Sequence, residues 1–296
     1  MKNSKELLKQ YTKEVEQVIE CYLPKREGLL VSLTDAMNYS MRAGGKRLRP
    51  LFMRETYRMF GGCGQEIEPF MAAIEMIHTF SLVHDDLPCI DNDRLRRGLD
   101  TTWVKFGYSM AVLAGDGLYG YAFETASKAL AYTGNSEAVS RCMGLLASKS
   151  GIYGMIGGET VDVELTGKPM TPEQLDFVYR LKTGALLEVS MMIGAILAGA
   201  HENQVKVVEK IASCIGMAFQ IQDDILDLTS SQEALGKPVL SDEKNHKTTY
   251  VTIYGMEQAQ QAVKSLSQEA VEALNDLPGD HEFMRALIMM LVTRER

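Results

Sequence analysis

The chain has 296 residues, long enough for one large core and short for several. Hydrophobic residues make up 46% and charged residues 24%, which excludes a disordered chain. Lys and Arg number 31 against 39 Asp and Glu, and the net charge of −8 argues against a nucleic-acid partner or a basic membrane-surface protein.

Five cysteines without a CxxC pair fit free thiols in a reducing cytoplasm better than disulfides or a structural zinc site. The opening segment MKNSKELLKQYTKEVEQ interleaves charge with apolar side chains and does not read as a secretory signal. The longest apolar run, Val189 to Ala200, falls short of the ~18–20 residues that span a bilayer, so stable membrane insertion is not expected.

Apolar side chains recur at helical spacing almost throughout, and strand-like alternation is rare. The pattern predicts helices over 3–22, 29–40, 47–60, 68–86, 106–131, 136–157, 172–200, 204–228, 247–264, 266–275 and 281–293. Thr171-Pro172-Glu173-Gln174 has the form of a capping box, with a hydroxyl at the N-cap and Gln at N3. Glycine-rich or proline-containing breakers such as Gly61-Gly62-Cys63-Gly64 and Leu277-Pro278-Gly279 separate the segments. Helices with short connections, no strands and no linker describe one all-α domain over residues 1–296.

Two of these helices are apolar until they end in carboxylates. One closes on His84-Asp85-Asp86-Leu87-Pro88-Cys89-Ile90-Asp91-Asn92-Asp93, the other on Phe219-Gln220-Ile221-Gln222-Asp223-Asp224-Ile225-Leu226-Asp227. Asp223 and Asp227 share a helix face, with Gln220 one turn earlier. Carboxylates at the negative ends of helices repel the helix dipole and one another, by about 4 kcal/mol for a pair ~4 Å apart at an effective dielectric of ~20. One such motif is commonly a solvated helix end; two point to a divalent cation. All-oxygen ligands suit Mg²⁺, Mn²⁺ or Ca²⁺, and EF-hand spacing is absent.

Positive charge is clustered in Gly44-Gly45-Lys46-Arg47-Leu48-Arg49-Pro50 and in Asp93-Arg94-Leu95-Arg96-Arg97-Gly98. Arginine forks beside a glycine turn suit phosphate, although Walker A spacing is missing. Lys182 falls in the apolar stripe Val178, Leu181, Ala185, Val189, where an ammonium needs a facing anion. Lys237 and Lys247 flank the second acidic motif. A diphosphate ester carries roughly three negative charges, which metal ions can bridge to carboxylates while Arg and Lys neutralise the rest. Two basic clusters suggest two diphosphates, and Ile, Leu, Met and Phe nearby suggest hydrocarbon tails.

GGKRLRP, HDDLPCIDND-RLRRG, LKTGALLE, FQIQDDILD and GKPVLSDEKNHKTTY, in this order, resemble the short-chain trans-prenyl diphosphate synthases, most of all bacterial farnesyl-forming ones, from about residue 35 to 255. The resemblance implies an all-α isoprenoid-synthase-type bundle around a central cavity, usually a cytoplasmic homodimer. It implies that Asp85, Asp86 and Asp91 hold Mg²⁺ on the allylic diphosphate, and that Asp223, Asp224 and Asp227 hold a third ion from across the cavity. Arg96, Lys182 and Lys237 would grip that diphosphate. Gly45, Lys46, Arg49, His78 and Arg97 would hold isopentenyl diphosphate, with Thr183 and Gln220 beside the reacting carbons. The substrates implied are isopentenyl, dimethylallyl and geranyl diphosphates.

Phe80 lies five residues before Asp85, about 7.5 Å along a helix axis, with Ser81 nearly in line with Asp85. An aromatic there resembles the cavity floor of farnesyl-forming enzymes and implies a fifteen-carbon product. Two stretches depart from the pattern: Leu99-Asp100-Thr101-Thr102-Trp103 stands where relatives often read Lys-Pro-Thr-Asn-His, and Gly157-Gly158-Glu159 where they read Gly-Gly-Gln. A geranylgeranyl synthase would keep every motif. A terpene cyclase would need neither KRLRP nor a second DDxxD, and a regulatory subunit would be expected to lack one Asp triad.

Overall fold

The computed structural model describes residues 2–229 and 248–293. Lys237 and Lys247 lie outside the described residues. The helices are α1 (Lys2–Cys21), α2 (Val31–Arg42), α3 (Leu48–Met59), α4 (Ile67–Asp85), α5 (Thr102–Phe106), α6 (Tyr108–Ser127), α7 (Ser136–Ser150), α8 (Met155–Glu164), α9 (Pro172–Val178), α10 (Ala185–Leu197), α11 (Glu202–Thr229), α12 (Tyr250–Tyr254), α13 (Met256–Ala273) and α14 (Glu282–Val292). The fold is all-α, with one small exception. Leu95–Arg96 (β1) and Leu99–Asp100 (β2) pair antiparallel, where no strand was expected. Arg97 and Gly98 form the two-residue connection, with φ of 56° and 78°. Positive φ at both central residues is the turn that matches the twist of a tight hairpin.

α4 and α10 are apolar on all sides because they are surrounded: α4 packs against α3, α6 and α10, and α10 against α3, α7 and α11. The main core runs through these contacts, with Phe52, Phe70, Met76, Leu118 and Leu186 among its fully buried side chains. A smaller apolar cluster, including Leu175, Val178, Ile221, Ile225 and Val263, joins α9, α11 and α13.

Three expected helices are divided. The segment 136–157 breaks over 151–154, where Gly154 takes φ −140° and ψ −129°, and α8 then runs on to Glu164. The break expected near residue 265 falls instead at Gly255, with Thr249 capping α12 through Thr252. The segment 172–200 keeps the expected Thr171–Gln174 capping box, but its middle, Tyr179–Gly184, is a π-helical turn.

That turn is clasped by two backbones. A Cβ on Gly158 of α8 would stand 2.3 Å from the Lys182 amide nitrogen, and a Cβ on Gly216 of α11 would stand 2.9 Å from the Gly184 Cα. Both contacts are with backbone, which cannot swing aside as a side chain can. Within the π turn Lys182 meets Asp162 of α8 and Thr183 meets Gln220 of α11. Gly158→Ala should therefore lower stability by about 2 kcal/mol or more, read as the urea midpoint at unchanged slope.

Candidate active site

α4 ends where its acidic motif begins. Asp86 is buried and accepts from Arg96, at 2.7 Å from Nε and 2.6 Å from the second guanidinium nitrogen. Asp91 is on an exposed turn, drawn back by its amide donating to the Asp85 carbonyl at 2.9 Å. Burial pushes the Asp85 carboxyl up to about 7; the Glu159 carboxylate adds to this, while Lys182 opposes it. Even with the Lys182 and Arg96 charges nearby, this carboxyl resists full ionisation.

The hairpin sends its two arginines in different directions. Arg96 faces Asp86, whereas Arg97 donates to the Gly44 carbonyl and lies against Gly45, whose Cβ would stand 2.8 Å from the Arg97 guanidinium. The Leu99–Trp103 departure docks this hairpin: the Tyr39 hydroxyl donates to Asp100 at 2.7 Å, and the Trp103 indole donates to the Asp93 carbonyl at 2.7 Å.

Within KRLRP the two arginines are used differently. Arg47 is buried, donating to Glu75 at 2.7 Å and to the Met41 carbonyl at 2.6 Å, so it serves the fold. Arg49, which like Arg47 keeps a buried Nε with no hydrogen-bond partner, donates to no carboxylate among the described residues; burial lowers its guanidinium to about 10, Glu75 opposing and Arg97 adding to the effect. Burial, followed by the charges of Arg49, Arg97, Arg96 and Arg47, pushes His78 well below the usual histidine range. An uncompensated arginine nitrogen beside other arginines and a neutral imidazole is a place for a polyanion. Lys46 lies on the exposed turn before it.

Across the bundle, Lys182 donates to Asp162 at 2.6 Å and pairs with Glu159 at 2.7 Å. The anion expected opposite this ammonium is thus supplied in part by the protein itself. Thr183 donates to the Gln220 side-chain carbonyl at 2.8 Å, which ties the π turn to α11. Lys182, Thr183, Gln220, Asp162 and Asp224 line one cavity with Thr248 and Thr249, and Asp86, Arg96 and Arg97 line a second beside α2. In the second acidic motif, Asp224 and Asp227 are buried and Asp223 is half-buried. Asp224 accepts from the Tyr179 hydroxyl at 2.5 Å and the Tyr250 amide at 2.8 Å.

Up α4, Phe80 is 9% exposed and packs edge-on to His84 at 4.9 Å and against Tyr119 at 4.8 Å between ring centroids. Ser81 beside it donates to the His78 carbonyl.

The polyprenyl synthetase family model matches residues 31–286. The chain belongs to that family. It is an all-helical trans-prenyltransferase. It is 38% identical over 290 residues to the farnesyl diphosphate synthase of Geobacillus stearothermophilus, covering 98% of this chain and 97% of that one. It is also 42% identical over 264 residues to the chloroplastic geranylgeranyl pyrophosphate synthase of Catharanthus roseus, covering 88% and 72%. The structure of an FPP/GFPP synthase from Zymomonas mobilis superposes with a TM-score of 0.87 at 31% identity, over 98% of this chain and 99% of that one.

The donor chemistry of this prenyltransferase fits magnesium. The acidic motifs offer oxygen ligands of the kind magnesium takes, although among the described residues no three His, Cys, Asp or Glu side chains are grouped so as to hold a metal ion.

Three residues of the site went unnoticed in the sequence: Glu75, Asp162 and Tyr179. Glu75 left a signal, being the lone acid within the run Phe70 to Ile77, where burial requires a partner. Asp162 left another, standing three residues after Glu159 and so on the same helix face. Tyr179 gave none.

His78 also makes a pH prediction. In the unfolded chain it titrates near 6.5, while the folded protein holds it neutral well below that value. On acidification the unfolded state therefore binds a proton that the native state does not, and stability falls below about pH 6.5. His78→Gln should remove about 2 kcal/mol of the stability difference between about pH 6.5 and pH 5, read by urea denaturation.

Proposed function

We propose that this prenyltransferase is a farnesyl diphosphate synthase, condensing isopentenyl diphosphate first with dimethylallyl and then with geranyl diphosphate. The observation that carries the fifteen-carbon product is Phe80, a buried aromatic ring wedged between His84 and Tyr119 on the path a tail would take from Asp85. The likeness to bacterial farnesyl diphosphate synthases over nearly the whole chain supports the same reading. Geranylgeranyl diphosphate is the second reading, favoured by the 42% identity to plant geranylgeranyl synthases.

In this reading Asp85, Asp86 and Asp91 on one side and Asp223, Asp224 and Asp227 on the other hold Mg²⁺, three ions in all, with Mn²⁺ a substitute. Bound there, the metal supplies positive charge to the departing diphosphate. Arg96, Lys182 and Lys237 grip the allylic diphosphate, and their charge stabilises what develops on its oxygens as the C–O bond ionises. The Thr183 and Gln220 oxygens flank the resulting allylic cation, and the apolar walls of α4 and α10 keep water from it. Gly45, Lys46, Arg49, His78 and Arg97 seat isopentenyl diphosphate so that its double bond attacks the cation. The departed diphosphate then accepts the proton lost from the new chain. No nucleophile of the protein takes part.

A homodimer fits the exposed Leu113 on α6 and the exposed Ile152 and Tyr153 after α7. Five free cysteines fit a cytoplasmic setting. Among the described residues no helix is long and apolar enough to cross a membrane.

Incubation with dimethylallyl and isopentenyl diphosphates plus Mg²⁺, followed by chromatography of the dephosphorylated products, should give farnesol. Geranylgeraniol as the main product would favour the second reading. Asp85→Ala and Asp223→Ala, made singly, should each lower kcat by about a thousandfold or more while leaving the helical circular dichroism unchanged. Phe80→Ala should shift the product beyond fifteen carbons; an unchanged distribution would remove Phe80 as the floor.

A further inference from the structure

Lys182 is one cation facing two carboxylates, at 2.7 Å from Glu159 and 2.6 Å from Asp162. Asp85 bears on the same ammonium. The local charge is therefore already negative before any diphosphate arrives. Asp162 accepts one of the three N–H groups of Lys182 and Glu159 stands at ion-pair distance, so a phosphate oxygen approaching the remaining donor meets the Glu159 charge.

The two carboxylates differ in their freedom to leave. The Asp162 side chain is 8% exposed and lines the cavity, whereas that of Glu159 is 23% exposed on a longer, more flexible stem. Both are fixed in place by α8, which Gly158 holds against the Lys182 backbone. Glu159 is also one of the two departures noted in the sequence, an anion where an amide would fill the same volume.

We propose that Glu159 is a built-in competitor of the allylic diphosphate: its carboxylate occupies Lys182 in the free protein, and the incoming diphosphate displaces it. Glu159 in this role sets affinity for the allylic substrate and does not touch the reacting carbons. The inference rests on the functional reading above. It carries a definite sign. Removing the charge while keeping the shape takes away a carboxylate that repels the incoming diphosphate at Lys182, so binding tightens. If Glu159 served instead as a further metal ligand, removing it would weaken binding.

The test is calorimetric titration of the full chain with geranyl S-thiolodiphosphate, an ionisation-resistant allylic diphosphate, in the presence of Mg²⁺. Glu159→Gln should bind it about tenfold more tightly than the parent chain, the size expected for losing one like charge near the ligand in a half-buried site. Glu159→Ser, smaller and also neutral, should move in the same direction and stands in should the first variant fail to fold. Titration with isopentenyl diphosphate should be unchanged in both. Equal or weaker binding of the thiolodiphosphate by the neutral variants would overturn the proposal. A parent chain that does not bind the analogue would overturn the functional reading first, and this inference with it.

Discussion

Lys182 places an ammonium group between helices whose other faces form the apolar core, and the surrounding elements are arranged around that charge. A lone ammonium in such a place would be neutralised or drawn out to solvent. Here it is held by Glu159 and Asp162 from α8, while the turn that carries it has one residue more than an α-helix allows. Two glycines make that possible, because Gly158 and Gly216 let the backbones of α8 and α11 close on the turn from both sides. The neighbouring Thr183 then meets Gln220, and Tyr179 meets Asp224, so the same turn positions both the cation and part of the second acidic motif.

The opposite side of the bundle solves the reverse problem. There the excess is positive, and the fold disposes of part of it by spending Arg47 on Glu75 and Arg96 on Asp86. Arg49 and Arg97 are left near a histidine kept neutral by burial and by the charges around it. Carboxylates around Lys182 and arginines around His78, with Asp85 and Asp86 between them, suit the proposed binding of a metal-bound diphosphate with a hydrocarbon tail. The family match over residues 31–286 accords with that arrangement.

Much of this was legible in the sequence. The helix read over 68–86 is α4 within one residue at each end, and the Thr171–Gln174 box caps α9 as its residues suggested. Local chemistry dictates such features. The hairpin at Arg97-Gly98 was less visible, since its strands are two residues long and leave no alternation to detect. The π turn was hidden for a different reason: Val178, Leu181, Ala185 and Val189 keep helical spacing straight through it. Its cause lies in glycines more than twenty residues away in sequence on either side, so only the tertiary contact exposes it. Likewise the anion facing Lys182 could be foreseen from burial, but not that carboxylates of α8 would supply it.

In the proposed reading the two acidic motifs hold Mg²⁺ together with a diphosphate. Calorimetric titration with Mn²⁺, with and without inorganic diphosphate, tests it most directly. The account predicts weak metal binding to the protein alone and markedly tighter binding, of more than one ion, once diphosphate is present. Tight stoichiometric binding of Mn²⁺ by the protein alone, unaffected by diphosphate, would contradict it.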